Sequence, residues 1–274
     1  MHFKKSNDNQ STILHEGSVP YLTFKKLDQA GVRHGFSTRM GGVSEGMFSA
    51  LNLSYNRGDK KEAVDENFRR ISEAIGFDHT KLVFSNQIHE TRIHKVTKED
   101  CGKVMKDMDG LATNEQGIPL YTGYADCVPL FFYDPVEKVA ALAHSGWRGT
   151  VGKIGKVTVE KMEEEFGCDP ADILGAVGPS ICQDCYEVSE DVIKKFRENY
   201  DENLWPEIFY QKENGKYQLN LWKANESVFL ESGILPEHIA VTNVCTHCNP
   251  DILFSHRTTG NERGTLSAFL ALKK

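Results

Sequence analysis

The segment GYADCVPLFFYD places Cys127 directly before a strongly apolar run, and HSGWRG follows it, beginning at His144. The runs VPLFFY and KVAALA flank DPVE, in which proline at the second position favours a tight turn. A turn centred between Pro135 and Val136 would pair Cys127 with His144 at the open end of an antiparallel hairpin. Directly opposite β-carbons lie about 4.5–5.5 Å apart, so the thiol and the imidazole could share a metal ion or a proton. A buried structural cysteine beside an unrelated histidine is the alternative.

A second histidine could join this pair. In KLVFSNQIHE, strand alternation predicts Gln87 and His89 on one face, at the polar end of a strand. Two histidines and one cysteine are a reasonable set of three zinc ligands that leaves a fourth position open. Their spacing matches no local metal motif, so a surface histidine at a strand end is the alternative. Pro129 lacks a backbone donor and could shift the hairpin register by one residue.

Four further cysteines form two C-x-x-C pairs, Cys182 with Cys185 and Cys245 with Cys248. Together the pairs could build a structural four-cysteine metal site. The long stretch between them is rich in aromatic residues, which is more typical of a protein core than of a small zinc ribbon.

A glycine- and arginine-containing segment, HGFSTRMGGVSEG, suggests an anion site. Backbone amides and a guanidinium could converge there on phosphate, from Ser37, Thr38, Arg39, Gly41 and Gly42. The segment matches neither the G-x-x-x-x-G-K-[ST] loop nor the G-x-G-x-x-G fingerprint, so it predicts neither a nucleoside triphosphate nor a dinucleotide. A glycine-rich turn without a ligand is the alternative. Two more cations could reach the same place, Arg148 and Arg257, and Gln87 is a further candidate for binding phosphate or substrate.

Composition bounds the class of protein. The 274 residues include 39% hydrophobic and 26% charged residues and carry a net charge of −7, which predicts a soluble globular protein without a nucleic acid or membrane partner. The start of the chain has no apolar core behind its lysines, and no run approaches the roughly 18 apolar residues of a membrane span. Seven scattered cysteines favour reduced thiols and a cytoplasmic location. The oligomeric state is not indicated.

The pattern of elements predicts an α+β fold, a single domain with mixed β-sheets flanked by helices. Val64, Phe68, Ile71 and Ile75 have helical spacing, and Gly76 would end that helix. Further helices are predicted over 151–166, 191–200 and 221–233. Strands are predicted in KLVFSNQIH, VPLFFYD, KVAALAH, ILGAVG and HIAVTNV. Residues 1–20 are predicted to be a mobile N-terminal segment and 21–274 to be the single domain.

Six segments in order resemble the YfiH-like family, also called the laccase-domain or polyphenol-oxidase family: FSTRMGGVSEGMFSALNLS, NQIHE, ADCVPLFFYD, AHSGWRGT, GPSICQDCYEV and VCTHCNPDILFSHR. The likeness runs from about residue 30 to the C-terminus. It implies a fold shared with toxin deamidases, purine nucleoside phosphorylase activity with broad side activities, and zinc ligands at His89, Cys127 and His144. The chain departs from the family pattern at Gly123 and Tyr124, and His256-Arg257 stands where many members have two arginines.

We therefore predict a zinc-containing purine nucleoside phosphorylase. It would convert adenosine, inosine or methylthioadenosine with phosphate to the free base and ribose 1-phosphate, with adenosine deaminase as a further activity. Asp126, beside the ligand cysteine, would orient it, although a turn aspartate is an equal alternative. Zinc is favoured over copper because multicopper oxidases need many histidines in H-x-H pairs, and the ten histidines here form none.

Two other classes of function stay open. In a cysteine hydrolase, Cys127 would be the nucleophile and His144 the base, acting on an amide such as a peptidoglycan precursor. In a zinc-stabilised binding module without turnover, the two C-x-x-C pairs would hold a structural ion.

Overall fold

The structure, a computed structural model, describes residues 3–5 and 10–273. Its strands form from short runs rich in β-branched and aromatic residues. They are β1 (Thr12–His15), β2 (Tyr21–Phe24), β3 (Arg33–Ser37), β4 (Val83–Asn86), β5 (Ile93–Lys95), β6 (Val104–Lys106), β7 (Gly110–Thr113), β8 (Leu120–Tyr124), β9 (Val128–Asp134), β10 (Val139–Ser145), β11 (Leu174–Val177), β12 (Glu187–Val188), β13 (Phe209–Gln211), β14 (Tyr217–Leu219), β15 (Ile239–Val241) and β16 (Leu266–Ala271). The helices are α1 (Lys25–Ala30), α2 (Lys61–Ile75), α3 (Trp147–Val151), α4 (Ile154–Phe166), α5 (Glu190–Asn199), α6 (Trp205–Ile208), α7 (Leu221–Glu231) and α8 (His256–Thr259).

Two large mixed sheets contain most of the strands. The seven-stranded sheet has the order β1-β2-β3-β16-β8-β4-β6, and the six-stranded sheet has the order β15-β11-β9-β10-β7-β5. Parallel pairs such as β4 with β8 and β11 with β15 occur beside antiparallel pairs such as β9 with β10. A small third sheet has the order β12-β14-β13. This arrangement confirms the predicted α+β domain with mixed sheets.

The two large sheets pack face to face and helices cover their outer faces. Alternation along β9 directs Phe131 and Tyr133 into the core between the sheets, and Leu130 and Phe132 toward α4, α5 and α7. Helix α2 packs on the outer face of the seven-stranded sheet. Strands β9 and β10 are buried along their whole length, which explains why their sequences are apolar on both faces.

The predicted helices are present, with shifted ends in places. The four apolar residues of α2 are buried, and Gly76 ends that helix in a left-handed conformation with φ 93°. Helix α4 begins at Ile154 and not at Val151, because left-handed Lys153 (φ 54°) separates it from α3. Among residues 3–5 and 10–273, every helix lacks the length and apolar character that crossing a membrane requires.

The β9–β10 hairpin is antiparallel as predicted, but its register differs by two residues. His144 pairs with Pro129, and Cys127 lies one residue before β9. The loop extends from Pro135 to Lys138, because Asp134 Oδ1 accepts two loop N–H groups at 2.7 and 3.0 Å and Lys138 is left-handed (φ 56°). A shift of two residues preserves the face of each side chain. Cys127 and His144 are therefore diagonal neighbours and not direct partners.

The connection between β8 and β9 carries the chain from one large sheet to the other. Only Ala125, Asp126 and Cys127 form it, and Asp126 makes the sharp turn with φ 86°. Aspartate tolerates this left-handed region better than most residues do. The crossing places Cys127 against the core between the sheets.

The predicted mobile segment over residues 1–20 lies partly outside the described residues, namely at Met1, His2 and Ser6–Asn9. Of the described residues, Phe3 is buried, and β1 pairs along its length with β2. The seven-stranded sheet therefore begins before the predicted boundary at residue 21.

Truncating the inter-sheet core is expected to destabilise the protein. Leu142 on β10 is fully buried between the sheets, so Leu142→Ala should lower the free energy of unfolding by about 2–5 kcal/mol. Val136, in the hairpin loop, is 61% exposed, and Val136→Ala should change it by less than about 0.5 kcal/mol. Urea titration of both variants measures the difference, and equal losses would contradict this packing.

Candidate metal centre and adjoining pocket

Three predicted residues, His89, Cys127 and His144, come together where the inter-sheet core ends. One nitrogen of each histidine and the Cys127 sulfur all lie within 4.8 Å of one another. The two imidazole rings are nearly perpendicular, with centroids 4.8 Å apart. His144 comes from the end of β10, Cys127 from the sheet crossing and His89 from the turn after β4.

The space between these side chains is open because Gly146 has no side chain. A β-carbon there would lie 3.1 Å from Cys127 Sγ and 3.1 Å from His89 Cδ2. Imidazole nitrogen and thiolate sulfur are donors that zinc takes in proteins. The cluster thus has the donor types and the free volume that a metal ion requires.

His89 reaches the cluster differently from the sequence prediction. The strand was predicted to continue to His89, but β4 ends at Asn86. His89 instead lies in a turn and has a left-handed backbone conformation with φ 64°. Three successive N–H groups of this turn, those of Ile88, His89 and Glu90, donate to the Asp109 carboxylate at 2.9–3.1 Å. Such converging amides form an anion-binding nest, and here the anion is the protein's own carboxylate.

Asp109 also fixes the second histidine. The Nδ1 of His144 lies 3.1 Å from Asp109 Oδ1, and Asp109 is completely buried. Burial raises the pKa of Asp109, but hydrogen bonds from His144 and from the backbone outweigh it and lower the pKa below its usual value. An ionised carboxylate only accepts, so His144 carries a proton on Nδ1, and Nε2 is the nitrogen that could bind a metal ion. Sequence reasoning missed Asp109, because in KDMDG it looks like an ordinary turn residue.

Charges within the cluster oppose the effect of burial. Burial raises the pKa of the Cys127 thiol, but the rings of His144 and His89 lower it to about 6. Burial lowers the pKa of His144, whereas Cys127 and Asp109 raise it to about 9. The arrangement thus favours a thiolate beside a protonated imidazole when no metal ion is bound, and a thiolate is the form that binds metals.

Asp126 holds the sheet crossing in place. Its carboxylate accepts hydrogen bonds from the Thr246 hydroxyl and the Arg257 N–H, both at 2.6 Å. Its carbonyl accepts from the N–H of Ile181 at 3.1 Å. Asp126 therefore ties the residue before Cys127 to two other loops, and its effect on the thiol acts through the backbone.

A pocket of about 590 Å³ adjoins the cluster, and His89, Cys127 and His144 contribute to its lining. One part of its wall is aromatic, formed by Tyr55, Phe68, Phe84 and Tyr121. The rings of Phe84 and Tyr121 lie 4.9 Å apart, and those of Tyr55 and Phe68 are stacked at 5.5 Å. Tyr55 is 45% exposed, so this wall offers aromatic surface to a ligand.

Two arginines that the sequence analysis did not select, Arg57 and Arg263, also line this pocket. Each donates one terminal nitrogen to a carbonyl, Arg57 to Asn261 at 2.7 Å and Arg263 to Gly264 at 3.0 Å. The Nε atoms of both arginines are buried without a hydrogen-bond partner. Burial and the neighbouring Arg57 lower the pKa of Arg263 to about 10. Guanidinium groups are common ligands of anions, so these two arginines are candidates for binding an anion in this pocket.

The predicted phosphate residues of the glycine turn lie elsewhere. The Arg39 guanidinium donates to the carbonyls of Ser49 and Pro250 at 2.9 and 2.8 Å and packs over the Phe254 ring. The hydroxyls of Ser37 and Thr38 are buried in hydrogen bonds with backbone groups. The reason for the two glycines is close packing, since a β-carbon at either would lie 2.2 Å from a carbonyl oxygen. Of the predicted phosphate-binding residues, only Gln87 lines the pocket.

The remaining predicted residues have identifiable contacts. Gln87 donates to the Gly123 carbonyl at 2.9 Å and accepts from the Gly123 N–H at 3.0 Å, so its amide joins the turn after β4 to β8. Arg148 is exposed and lies over the Trp147 ring. The Arg257 guanidinium donates to the Glu187 carbonyl at 3.1 Å and lies over the Tyr186 ring.

The mixed-sheet fold and the histidine–cysteine cluster define a class of protein, and comparison with known families identifies it. The model of the family described as "Multi-copper polyphenol oxidoreductase laccase" matches residues 33–273. The chain belongs to this family, which confirms the resemblance to the YfiH-like, laccase-domain proteins.

Individual relatives agree with this assignment. The purine nucleoside phosphorylase YlmD of Bacillus subtilis is 37% identical over 248 residues, covering 88% of both chains. The crystal structure of YlmD from Geobacillus stearothermophilus has a TM-score of 0.91 at 33% identity and covers 96% of this chain and 99% of that one. The structure of the hypothetical protein YfiH of Bacillus licheniformis has a TM-score of 0.90 at 33% identity, with coverage of 95% and 99%.

Removing the charge of Asp109 is expected to destabilise the site and its surroundings. In Asp109→Asn, the single side-chain oxygen would have to accept from all the donors that now share two carboxylate oxygens. The new NH₂ group would also face backbone N–H groups with which it cannot form hydrogen bonds. The free energy of unfolding should therefore fall by about 3 kcal/mol at pH 7. The folded-state pKa of Asp109 is lowered. Its contribution is therefore present above its unfolded pKa near 4 and lost as the pH falls through the folded value.

Urea unfolding at pH 7 and at pH 3 measures this loss, and the difference between wild type and variant should shrink at pH 3. Asp107, exposed on the same loop, provides the matched control, because Asp107→Asn makes the same change of charge without these bonds. Equal losses in the two variants would show that Asp109 has no special role.

Proposed function

We propose that the chain is a zinc-containing purine nucleoside phosphorylase. The observation that carries the proposal is one pocket that combines the His89–Cys127–His144 cluster, an aromatic wall and two arginines with unpartnered donors. A nucleoside and phosphate need these features together: a flat apolar surface for the base and cations for the anion. The relatives named purine nucleoside phosphorylase, at 37% and 35% identity, support the same activity.

Phosphate would bind to Arg57 and Arg263, and not to the glycine turn. Its oxygen attacks the ribose carbon that bears the base, a carbon–oxygen bond forms, and the carbon–nitrogen bond breaks. The electron pair of the broken bond leaves with the purine, which takes up a proton, and the products are the free base and ribose 1-phosphate. Positive charge develops on the sugar in the transition state, so an anion held by fixed arginines stabilises it.

The purine would bind along the aromatic wall. Tyr55 and Phe84 are the less buried members of the aromatic group, and a purine ring can stack against such faces. Ser85 also lines the pocket, and its buried hydroxyl has no hydrogen-bond partner. This hydroxyl can bind a polar edge of the base or the ribose. Adenosine, inosine and methylthioadenosine share the purine and ribose that these contacts recognise.

His89, Cys127 and His144 would hold the zinc ion. When bound, zinc supplies Lewis acidity at the pocket wall. The chain's part is to hold the ligands: Asp109 keeps the His144 proton on Nδ1 and fixes the turn that carries His89. Zinc suits this chain better than a multicopper centre, because the ten histidines contain no H-x-H pair. Among the described residues, moreover, only one of the two ligand clusters contains histidine.

The other predictions about context rest on composition. The net charge of −7 supports small-molecule substrates over nucleic acid or a membrane surface. Seven cysteines support a reducing, cytoplasmic compartment.

Base release should depend on phosphate. Purified protein incubated with inosine and phosphate should accumulate hypoxanthine and ribose 1-phosphate, separated by chromatography, and release should stop when phosphate is omitted. Arg263→Ala should raise the phosphate KM about 10- to 100-fold, the value of one charge-assisted hydrogen bond, with a smaller effect on the nucleoside KM.

Arg69→Ala is the control, because Arg69 is an exposed arginine of α2 that pairs with Glu66 and Glu73. Free ribose formed equally well without phosphate would contradict phosphorolysis and indicate a hydrolase. Inosine formed from adenosine in the same assay would establish the deaminase activity as well.

The metal prediction separates the phosphorylase from the cysteine hydrolase. Cys127→Ala and His89→Asn should each contain one zinc fewer per chain than wild type and lose activity; asparagine at position 89 retains tolerance for the left-handed turn. Cys101→Ser should retain zinc and activity, because Cys101 lies outside both clusters. Zinc is measured by plasma mass spectrometry. If His89→Asn stays active with unchanged zinc, and Cys127 is rapidly alkylated, the result would instead support the cysteine hydrolase in which Cys127 is the nucleophile.

A further inference from the structure

The four remaining clustered cysteines, Cys182, Cys185, Cys245 and Cys248, form a second candidate metal site. Their four sulfur atoms all lie within 4.8 Å of one another. A zinc ion bound to four thiolates at about 2.3 Å has its sulfurs about 3.8 Å apart in tetrahedral geometry. Cys185 Sγ and Cys248 Sγ are 3.4 Å apart, close to that spacing. The aromatic stretch between the two pairs packs into the core, and this packing brings the pairs together without a zinc-ribbon fold.

Backbone hydrogen bonds to sulfur strengthen the case for bound thiolates. The N–H groups of Cys182 and Cys248 donate to Cys245 Sγ at 3.3 and 3.4 Å. Donors in this position orient a metal ligand and offset its negative charge. Cys182 and Cys245 are buried, at 5% and 0% exposure, whereas Cys185 and Cys248 are half-buried. An ion can therefore enter from one side and be enclosed on the other.

Two other uses of four cysteines fit less well. All four are free thiols, and 3.4 Å is far longer than the 2.05 Å of a disulfide. A four-iron cluster binds each thiolate to a different iron at a separate corner, which spreads the sulfurs farther apart than one ion does. The compact cluster fits a single tetrahedral ion.

The two loops that contain Cys182–Cys185 and Cys245–Cys248 also contact the connection between β8 and β9. Thr246, between Cys245 and Cys248, donates its hydroxyl to Asp126. Ile181, next to Cys182, donates its N–H to the Asp126 carbonyl. The loops contact each other as well, because the Thr246 N–H donates to the Ser180 carbonyl at 3.1 Å. A bond through one ion would fasten both loops around the residue that precedes Cys127.

We propose that Cys182, Cys185, Cys245 and Cys248 bind one structural zinc ion, separate from the His89–Cys127–His144 cluster, and that this ion fastens the two loops that hold Asp126. The four-cysteine site does not depend on the phosphorylase activity. It explains the pair of C-x-x-C motifs that the activity leaves unused.

Metal content in defined variants tests the proposal. Protein purified without chelator should contain two zinc ions per chain, and Cys248→Ser should contain one. The double variant His89→Asn/Cys127→Ala should also contain one, and this remaining ion tests the four-cysteine site even if Cys248→Ser does not fold. Cobalt substituted into the double variant should give the intense visible bands of a tetrahedral tetrathiolate. Cys101→Ser is the control and should keep both ions.

The outcomes distinguish this site from the other cluster. A wild type with one zinc that is lost in Cys248→Ser but kept in the double variant would support the four-cysteine site and reject zinc at His89–Cys127–His144. A double variant without metal would overturn the proposal. Iron with acid-labile sulfide, or a disulfide between Cys185 and Cys248 in freshly purified protein, would overturn it too.

Discussion

A fully buried carboxylate must have its charge compensated by donors, and Asp109 meets this requirement with three backbone N–H groups and one imidazole. The same bonds give the turn after β4 its shape and fix the proton position of His144. Asp109 directly precedes β7 of the six-stranded sheet, whereas the turn follows β4 of the seven-stranded sheet. A single side chain thus joins both sheets and aligns two of the three residues of the His89–Cys127–His144 cluster.

The pocket beside this cluster brings two arginines together in an acidic protein. The net charge is −7, so the chain as a whole does not attract phosphate. An anion must therefore be attracted locally, and Arg57 and Arg263 are the pocket residues that we propose for this role; their buried Nε atoms have no protein partner. A terminal nitrogen of each guanidinium donates a hydrogen bond to a backbone carbonyl oxygen, which holds the group in place. Fixed donors of this kind need little rearrangement when a substrate binds.

The sequence predicted the parts of the fold and site that depend on local pattern. Hydrophobic periodicity predicted helix α2, and a turn motif predicted the β9–β10 hairpin. The hairpin prediction and the family resemblance both placed Cys127 beside His144. The register differed because the Asp134 side chain extends the loop, an effect that the turn residues alone do not reveal. Asp109 and the two pocket arginines could not be predicted, because each is a single residue without a motif. Their partners lie far away in the chain and become visible only when the sheets are packed.

The crossing between β8 and β9 has a consequence for the order of folding. His89 follows a strand of one sheet, His144 ends a strand of the other, and Cys127 lies between them. A chain with only one sheet formed therefore lacks part of this cluster, so a metal ion held by all three residues would not act as an early folding nucleus. If the cluster holds an ion, as we propose, its binding energy is added only after the sheets have docked, so the ion would stabilise the finished fold and slow its unfolding without speeding its assembly.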